Sequence, residues 1–211
     1  AQAGLAQDAC NQTGIFADEE EIRGFGAVAA LYTEACQVIV RADSGIESVE
    51  DLQGKTVSIG AEESGSEQNA LQILSAYGLT DRLVETVNLN YEDAAAQLKA
   101  GKIDAVFITA GIPSPVVTEL AGECGVRLLN VNGAAAQRLR SAYSAYSEVT
   151  IPAGTYPGQT ADAHTVGVKA VLLASDELPA AQVQKLTELL FSGREGLEEQ
   201  LSIPLDAEQD A

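Results

Sequence analysis

The amino-acid sequence predicts an α/β fold with a mostly parallel β-sheet, and three features of the chain indicate it. Short apolar strands alternate with amphipathic helical segments along most of the 211 residues, a pattern typical of sheets with right-handed helical crossovers. Gly78 and Gly101 directly follow two helical segments, where a helix end favours a left-handed residue. A loop rich in Gly and Ser follows an apolar strand, and loops in this position bind ligands in such sheets.

The first quarter of the chain predicts one short helix and three strands. The opening AQAGLAQDA indicates the end of a strand that enters a helix. FGAVAAL and CQVIVRA are two apolar strands, and the residues 32–34 predict a kink between them. IESVEDLQGK predicts a short helical turn that ends at Gly54, ahead of a strand over 56–59.

Helices and strands continue to alternate through the rest of the chain. Asn90 and Pro179 stand at two predicted helix starts, as an N-cap and as an N-terminal proline. The predicted elements are a helix over 67–77, a strand over 83–89, a helix over 91–100, a strand over 104–109, a short helix within AGIPSPVVTELAGECG, a strand over 126–131, a helix within AAAQRLRSAYSAY, a loop over TIPAGTYPGQTADAH, a strand over 165–174 and a long amphipathic helix from Pro179. The tail LSIPLDAEQDA is too polar to assign.

The composition excludes several classes of function. With a formal net charge of −19, the chain is poorly suited to nucleic acid, because binding to phosphates depends on Lys and Arg. No apolar run approaches the ~18 residues of a membrane span, so we expect no direct membrane insertion. Cys10, Cys36 and Cys124 form no C-x-x-C or Cys/His motif, and we expect neither a metal nor a cofactor. At most one disulfide can join them, and Cys36, within an apolar strand, is typical of a buried thiol.

The segment VSIGAEESGSEQNALQIL, residues 57–74, is the most informative part of the chain. It matches neither G-x-x-x-x-G-K-[ST] nor G-x-G-x-x-G, so no nucleotide site is predicted. It provides a helix N-terminus with free backbone N–H groups, two hydroxyls and a glycine, which suits a carboxylate. A second explanation is a capping box, in which Ser64 and Glu67 satisfy the helix's own amides. The two can coexist, with Ser64 as the cap while the Gly65 N–H and the Ser66 hydroxyl face a ligand.

This loop contains no catalytic motif, and we therefore predict binding without catalysis. The S-G-S triplet lacks the leading Gly of G-x-S-x-G, and His164 is the only histidine that could act as a base. Glu62 and Glu63 fit no metal-binding loop. The candidate ligand-binding loops are the three that follow apolar strands, 60–66, 109–114 and 132–134.

Three stretches of the chain together resemble one family. VIVRADSGIESVEDLQGKTVSIGAEESGSEQNALQIL, DAVFITAGIPSPVVTEL and IPAGTYPGQ are similar, in this order, to the TAXI-type solute receptors of TRAP transporters. The pattern SGI-S-DL-GK-V-IG is widespread among binding proteins. The ordered set G-x-x-x-S-G-S-E, A-G-x-P-x-P and I-P-A-G-x-Y-P-G is more specific. The resemblance extends from QAGLAQDA to about Phe191.

The resemblance implies a type II periplasmic-binding-protein-like α/β fold with two lobes and a cleft between them. Residues 36–150 correspond to a complete second lobe. Residues 1–35 and 151–211 correspond to the remnant of a first lobe. Members of the family look longer, with a Gly-rich half-lobe before QAGLAQDA and a P-x-H-P-G segment near the end. We therefore expect a chain truncated at both ends, with an incomplete first lobe.

The resemblance also implies an extracytoplasmic receptor, periplasmic or lipid-anchored, that serves TRAP-type membrane permease subunits. Its ligand would be a small organic anion such as glutamate, glutamine or a related carboxylate. Backbone amides can bind an anion in an acidic chain, because their partial charges act locally. The implied contacts with the ligand are Ser64, Gly65 and Ser66 at the helix start, Thr109, Ala110 and Gly111 on a facing loop, Tyr156 in the cleft, and Gln2 from the first lobe.

Two alternative functions are ranked below the receptor. A ligand-sensing module of a signalling system would bind its ligand in the same way and would differ only in its partner. A transferase on the same fold would need an acid or a base near the cleft. His164 and the pair Glu62 and Glu63 are the candidates for that role.

Overall fold

The computed structural model describes residues 1–18, 22–194, 196, 198 and 205. The described helices are α1 (Ala3–Asn11), α2 (Gly65–Ala76), α3 (Tyr91–Lys99), α4 (Pro115–Cys124), α5 (Gly133–Ala142) and α6 (Ala180–Ser192). The described strands are β1 (Phe25–Arg41), β2 (Thr56–Ser58), β3 (Glu85–Val87), β4 (Ala105–Ala110), β5 (Val126–Leu129), β6 (Tyr146–Ile151) and β7 (Ala163–Ser175). Short 3₁₀ turns span Gly14–Phe16 and Val49–Leu52. None of the described helices has the length and apolar character that crossing a membrane requires.

The chain divides into two compact units. The first unit comprises Ala1–Thr33 and Val168–Ala211, and the second comprises Glu34–Gly167. β1 and β7 contribute residues to both units. Residues 151–167, expected from the sequence to accompany the first lobe, belong to the second unit, because Ile151, Tyr156 and Ala163 lie in its core. That the first unit is the remnant of a larger lobe stays a prediction.

The sheet combines parallel and antiparallel strand pairs. Its order is β3-β2-β4-β1-β7-β6, and β5 also pairs with β1. β2 runs parallel to β3 and to β4. β1 runs antiparallel to β4 and to β5, so β4 and β5 point the same way. The parallel pairing predicted from alternating strands and helices is therefore present among β2, β3 and β4, whereas the described sheet as a whole is mixed.

Helices cover both faces of the second unit's sheet. Successive residues of a strand point to opposite faces, and β4 illustrates the consequence. Val106 and Ile108 pack in the apolar cluster that also contains Leu98 of α3 and Leu120 of α4. Thr109, on the opposite face, instead contacts α2. Each fully buried Leu or Ile stabilises the folded state by about 1.5–3 kcal/mol, so this double-sided core fixes the positions of the strand ends.

Among its described residues, the first unit contains parts of β1 and β7 and the helices α1 and α6. Ala1 and Val171 exchange two backbone hydrogen bonds, of 3.0 and 2.7 Å. Gln2 forms an antiparallel bridge with Ala170 and is the N-cap of α1. This confirms that the opening residues are the end of a strand that enters a helix. Pro179 stands at the N-cap of α6, as predicted for this helix start.

Two sequence predictions of strands were wrong, for different reasons. β1 is one continuous strand of 17 residues instead of two strands with a kink, because Tyr32 and Thr33 have high β-propensity and no Gly or Pro interrupts them. β6 was not predicted at all. Its exposed Ser147 and Glu148 hide the strand pattern, although Tyr146 and Ile151 at its ends are buried.

The polar tail LSIPLDAEQDA, which the sequence left unassigned, lies outside the described residues except at Leu205. Leu205 itself is buried.

All three cysteines are free thiols with different surroundings. Cys10 is exposed, Cys36 is buried and Cys124 is half-buried. Burial raises the pKa of the Cys36 thiol to about 12, and because the thiolate is the reactive form, this thiol is inert. The interpretation of Cys36 as a buried apolar residue is therefore confirmed.

We expect a thiol reagent such as a disulfide-exchange chromophore at pH 8 to modify Cys10 rapidly in the native protein and to leave Cys36 unmodified. Cys36 should react only after unfolding in denaturant, because it is buried and its pKa is raised. Peptide mapping of the labelled protein identifies the sites. Rapid labelling of Cys36 without denaturant would contradict the described core.

Candidate functional site

Two of the three candidate loops lie at one edge of the sheet in the second unit. β2 and β4 are parallel and adjacent, so their carboxyl ends meet at the same edge. The loop after β2 leads into α2, which begins at Gly65. The loop after β4 leads into α4, which begins at Pro115. Both helix N-termini therefore start from this edge.

Ser64 caps α2, and the predicted capping box is only half formed. The Ser64 hydroxyl accepts a hydrogen bond from the Glu67 N–H at 3.2 Å. The Glu67 carboxylate does not return to Ser64 as the motif predicts. It accepts from the Glu63 N–H at 2.6 Å and from the Asn88 side-chain amide at 2.7 Å. The loop folds back at Glu63, whose φ of 59° brings its N–H to the carboxylate, and this turn displaces the motif's second bond.

Gly60 allows the loop after β2 to lie directly against the first turn of α2. A Cβ atom at Gly60 would stand 2.8 Å from the Ser66 Cβ and 3.2 Å from the Ser64 Oγ. Its φ of 99° also disfavours any side chain. The Gly60 carbonyl accepts from the Leu89 N–H at 3.1 Å, which ties the loop to the segment after β3. Close backbone approach at Gly60 therefore sets where the α2 N-terminus lies.

Ser66 and Thr109, both predicted to contact a ligand, are joined by Tyr91, which the sequence did not single out. The Tyr91 hydroxyl donates to the Thr109 carbonyl at 3.0 Å and accepts from the Thr109 N–H at 3.3 Å. The same hydroxyl is hydrogen-bonded to the Ser66 Oγ. Burial raises the pKa of Tyr91, so it is neutral at physiological pH. The sequence feature that could have identified Tyr91 is its position as an aromatic residue directly after the helix cap Asn90.

The side chain of Thr109 is anchored by a buried polar chain on the other face of β4. The Asn69 side-chain amide donates to the Thr109 Oγ1 at 3.2 Å, and this hydroxyl donates to the Cys36 Sγ at 3.6 Å. Tyr146 of β6 donates to the Asn69 Oδ1 at 2.8 Å. Thr109 is therefore fixed by its backbone through Tyr91 and by its side chain through Asn69.

Tyr156 occupies a different position from the cleft lining that the sequence predicted. Its side chain is 1% exposed. Its hydroxyl donates to the Gln37 Oε1 at 2.6 Å and accepts from the Ser114 N–H at 3.0 Å. Tyr156 therefore supports the loop that contains Ala110 and Gly111 from below. In this loop Gly111 is buried and Ala110 is half-buried.

Gln2 lies in the first unit, and the third candidate loop lies at the C-terminal end of α2. Gln2 belongs to the first unit, where it bridges to Ala170. The loop before α5 contacts the C-terminal end of α2, since the Asn132 N–H donates to the Tyr77 hydroxyl at 3.1 Å. α2 has 12 residues and is about 18 Å long, so this loop is remote from Ser66.

The candidate site offers hydrogen-bond donors and the dipole of a helix N-terminus. The first amides of α2 have no partner four residues earlier in the helix, and their partial positive charge attracts anions. His164 is exposed and hydrogen-bonded to Thr150 and Asn130, and Glu62 and Glu63 are exposed. Over the described residues, no group of three His, Cys, Asp or Glu side chains could hold a metal ion.

Comparisons with known proteins match this fold to solute-binding proteins. A family model described as the NMT1-like family matches residues 1–210. The periplasmic aliphatic sulphonate binding protein of Escherichia coli is 22% identical, with a TM-score of 0.50 over 86% of this chain and 56% of that chain. The alkanesulfonate-binding protein of Xanthomonas axonopodis pv. citri, bound to MOPS, is 21% identical, with the same TM-score and coverage.

A putative L-cystine ABC transporter protein of Listeria monocytogenes is 17% identical, with a TM-score of 0.49 over 82% of this chain and 58% of that chain. The chain thus spans little more than half the length of these solved relatives. The likeness to the two sulfonate-binding proteins confirms the predicted periplasmic-binding-protein-like α/β fold class.

We expect Gly60→Ala to lower the free energy of unfolding more than Gly54→Ala does. Both glycines have positive φ, which costs about 1–2 kcal/mol for alanine, but Gly54 has open space around its Cβ position whereas Gly60 faces Ser66. The overlap should add about 1–3 kcal/mol, measured by urea denaturation. Equal effects of the two substitutions would show that the loop does not press against α2.

Proposed function

The chain belongs to the NMT1-like family, and from this premise we propose that it is an extracytoplasmic solute receptor of the TAXI type. In this proposal it captures a small organic anion, such as glutamate, glutamine or a related carboxylate, and delivers it to TRAP-type membrane permease subunits. The family and the fold support a solute-binding role. The ordered motifs GAEESGSE, AGIPSP and IPAGTYPG support the TAXI type.

One observation carries the proposal: the first turn of α2 is joined to the end of β4 through Tyr91. This contact places the amides of Gly65 and Ser66 and the loop that starts at Thr109 at the same edge of the sheet. A carboxylate at a helix N-terminus gains about 0.3–1 kcal/mol from the dipole at an exposed position and more where partly buried. The site can therefore bind an anion without a cationic side chain.

The proposed site holds a ligand without transforming it. The Ser64 hydroxyl caps α2, and the Ser66 hydroxyl is hydrogen-bonded to Tyr91. The ring of His164, the base considered for a transferase, is hydrogen-bonded to Thr150, and the backbone N–H of His164 donates to the Asn130 side chain. A transferase at the α2 N-terminus would need a base that activates Ser64 or Ser66, and these two hydroxyls have other hydrogen-bond partners, so binding and release is the better-supported role.

The remaining predicted contacts take different parts in this proposal. Ala110 and Gly111 are proposed to contact the ligand from the end of β4. Tyr156 acts indirectly, because it is buried and fixes the amide of Ser114. Gln2, which lies in the first unit, stays a proposed ligand contact.

A thermal-shift titration against glutamate, glutamine, 2-oxoglutarate, succinate and ethanesulfonate tests the function and the ligand class. The first four probe carboxylates, and ethanesulfonate probes the ligand class for which the two sulfonate-binding relatives are named. A true ligand at about 100 times its Kd stabilises the folded state by about 2.7 kcal/mol. We expect a selective shift with at least one carboxylate.

A shift with ethanesulfonate alone would support the receptor function and would show that its ligand is a sulfonate instead of a carboxylate. No shift with any probe would contradict the proposed capture of these anions. A search for chemically altered probe by mass spectrometry after prolonged incubation is the control for catalysis. Turnover that is lost in His164→Ala would favour the transferase over the receptor.

We expect Ser66→Ala to weaken binding of the carboxylate found in this titration by about 1 kcal/mol, the effect of one hydrogen bond. Gly65→Val should weaken binding far more, because the added side chain blocks close approach to the amides. Gly122→Val is the matched control, since Gly122 lies within α4 and nothing surrounds its Cβ position. Isothermal titration measures the three affinities. If Ser66→Ala and Gly65→Val both bind the ligand as tightly as the parent does, the first turn of α2 is only a capped helix start and does not contact the ligand.

A further inference from the structure

We propose that the first unit contains a docking groove for an extended, basic segment of a partner protein, which adds to β1 as a further strand. The groove lies between the start of β1, the end of β7 and α6, and its volume is about 990 Å³. All of its lining residues belong to the first unit. The inference does not involve the α2 N-terminus and adds an interaction surface to the proposed function.

Within residues 25–30, β1 has a described strand neighbour on one edge only. β7 pairs with β1, whereas the pairing of β1 with β4 and with β5 begins at Ala35 and Val38. Among the described strands, none therefore lies beside the other edge of β1 in the first unit. The N–H and carbonyl groups of such an edge form a template for a further strand.

The main chain of β1 shows which backbone groups point to this open edge. In antiparallel pairs, alternate residues of a strand direct their N–H and carbonyl groups to the same neighbour. The Gly24 carbonyl accepts from the Asp176 N–H at 2.9 Å, and the Cys36 carbonyl accepts from Thr165 of β7. The even-numbered residues of β1 thus face β7, and the odd-numbered ones face away from it. Ala27 is one of these, and it is exposed and lines the groove.

Apolar side chains from all three elements form the walls of the groove. They include Val28 of β1, Ala174 of β7, Leu178 of the connection to α6, and Val183 and Phe191 of α6. No residue of α6 is buried, so the helix leaves this apolar surface accessible. A strand in the groove would direct alternate side chains to opposite sides, so one set of them would pack on these walls.

The charge of the groove favours a basic occupant. Asp176 and Glu188 line it, and none of its described lining residues is Lys, Arg or His. The Asp176 Oδ1 lies 4.0 Å from the position of a Cβ atom on Gly26, beside β1. The Glu188 carboxylate accepts a hydrogen bond at 2.9 Å from the side chain of Gln184, which is neutral. Lys or Arg side chains of a docked segment would therefore complement both carboxylates.

A second copy of this chain fits the groove less well. Pairing of the two open edges would bring the segment FGAVAAL against itself, and this segment has no charged side chain. Asp176 and Glu188 would then face a copy with a formal net charge of −19 instead of a cation, and like charges across an interface are unfavourable. A basic extended segment satisfies the backbone edge, the apolar walls and the carboxylates together.

Fluorescence anisotropy with defined peptides at physiological ionic strength tests the groove. The probe is a labelled peptide of alternating Lys and Val residues. One control peptide replaces Lys by Glu. A second control keeps Lys and Val but has methylated backbone amides, so it retains the charge and loses the N–H donors. We expect the parent to bind the probe at least about tenfold more tightly than the methylated peptide, the effect of one or two hydrogen bonds.

Two variants of α6 locate the binding site. Gln184→Lys places a cation in the groove, and we expect it to lower the affinity for the Lys/Val peptide by about tenfold. Gln182→Lys is the matched control, because Gln182 is exposed on the same helix and does not line the groove. Both variants change the net charge equally, so Gln182→Lys should keep nearly the parent affinity.

Each outcome either supports the inference or overturns it. Equal binding of the probe and the methylated peptide, or equal loss of affinity in the two variants, would show attraction to an acidic surface without strand pairing in the groove. No binding of the probe, or binding of the Glu/Val peptide as tightly as the probe, also overturns the inference. A dimer in light scattering that Gln184→Lys alone dissociates would assign the groove to a second copy. None of these results affects the thermal-shift test of the proposed function.

Discussion

The hydroxyl group of Tyr91 holds the candidate site together, because it joins α2, α3 and β4 in one hydrogen-bonded cluster. β2 pairs with β4 only as far as Ser58 and Val106. Beyond that point the N–H and carbonyl of Thr109 find their partner in Tyr91 instead of a neighbouring strand. The side chain therefore replaces a strand at the place where the sheet opens into its loops. Since Tyr91 also contacts Ser66, the same atom sets the distance between the α2 N-terminus and the loop after β4.

A second constraint is the acidity of the chain. With a formal net charge of −19, the protein as a whole repels the carboxylates that the proposed function requires it to bind. Helix amides resolve this conflict because their partial charges act over a single turn, whereas the charge of exposed carboxylates is screened within about 10 Å at moderate ionic strength. The Glu67 carboxylate, the acidic group in the first turn of α2, is occupied by the Glu63 N–H and by Asn88.

Several parts of the fold were accessible from the sequence because their causes are local. The caps Ser64 and Asn90 accept the hydrogen bonds expected of them, and Pro179 stands at a helix start. Where the prediction failed, distant contacts decided the outcome. β6 is a strand because its buried ends, Tyr146 and Ile151, pack within the second unit, while its middle is polar. Residues 151–167 join the second unit through core contacts that no local pattern reveals.

The sequence by itself determined the alternation of helices and strands, the burial of Cys36 and the choice of the loop after β2 as a candidate site. Hydrophobic period, capping residues and glycines act over a few neighbouring positions, so they can be read along the chain. Only the tertiary structure decided which groups meet at that loop. It separated the 132–134 loop from Ser66 by the length of α2, buried Tyr156 beneath Ser114 and brought Tyr91 to Thr109. Those contacts join residues 18 to 55 positions apart, and packing of whole elements, which sequence spacing does not encode, sets such distances.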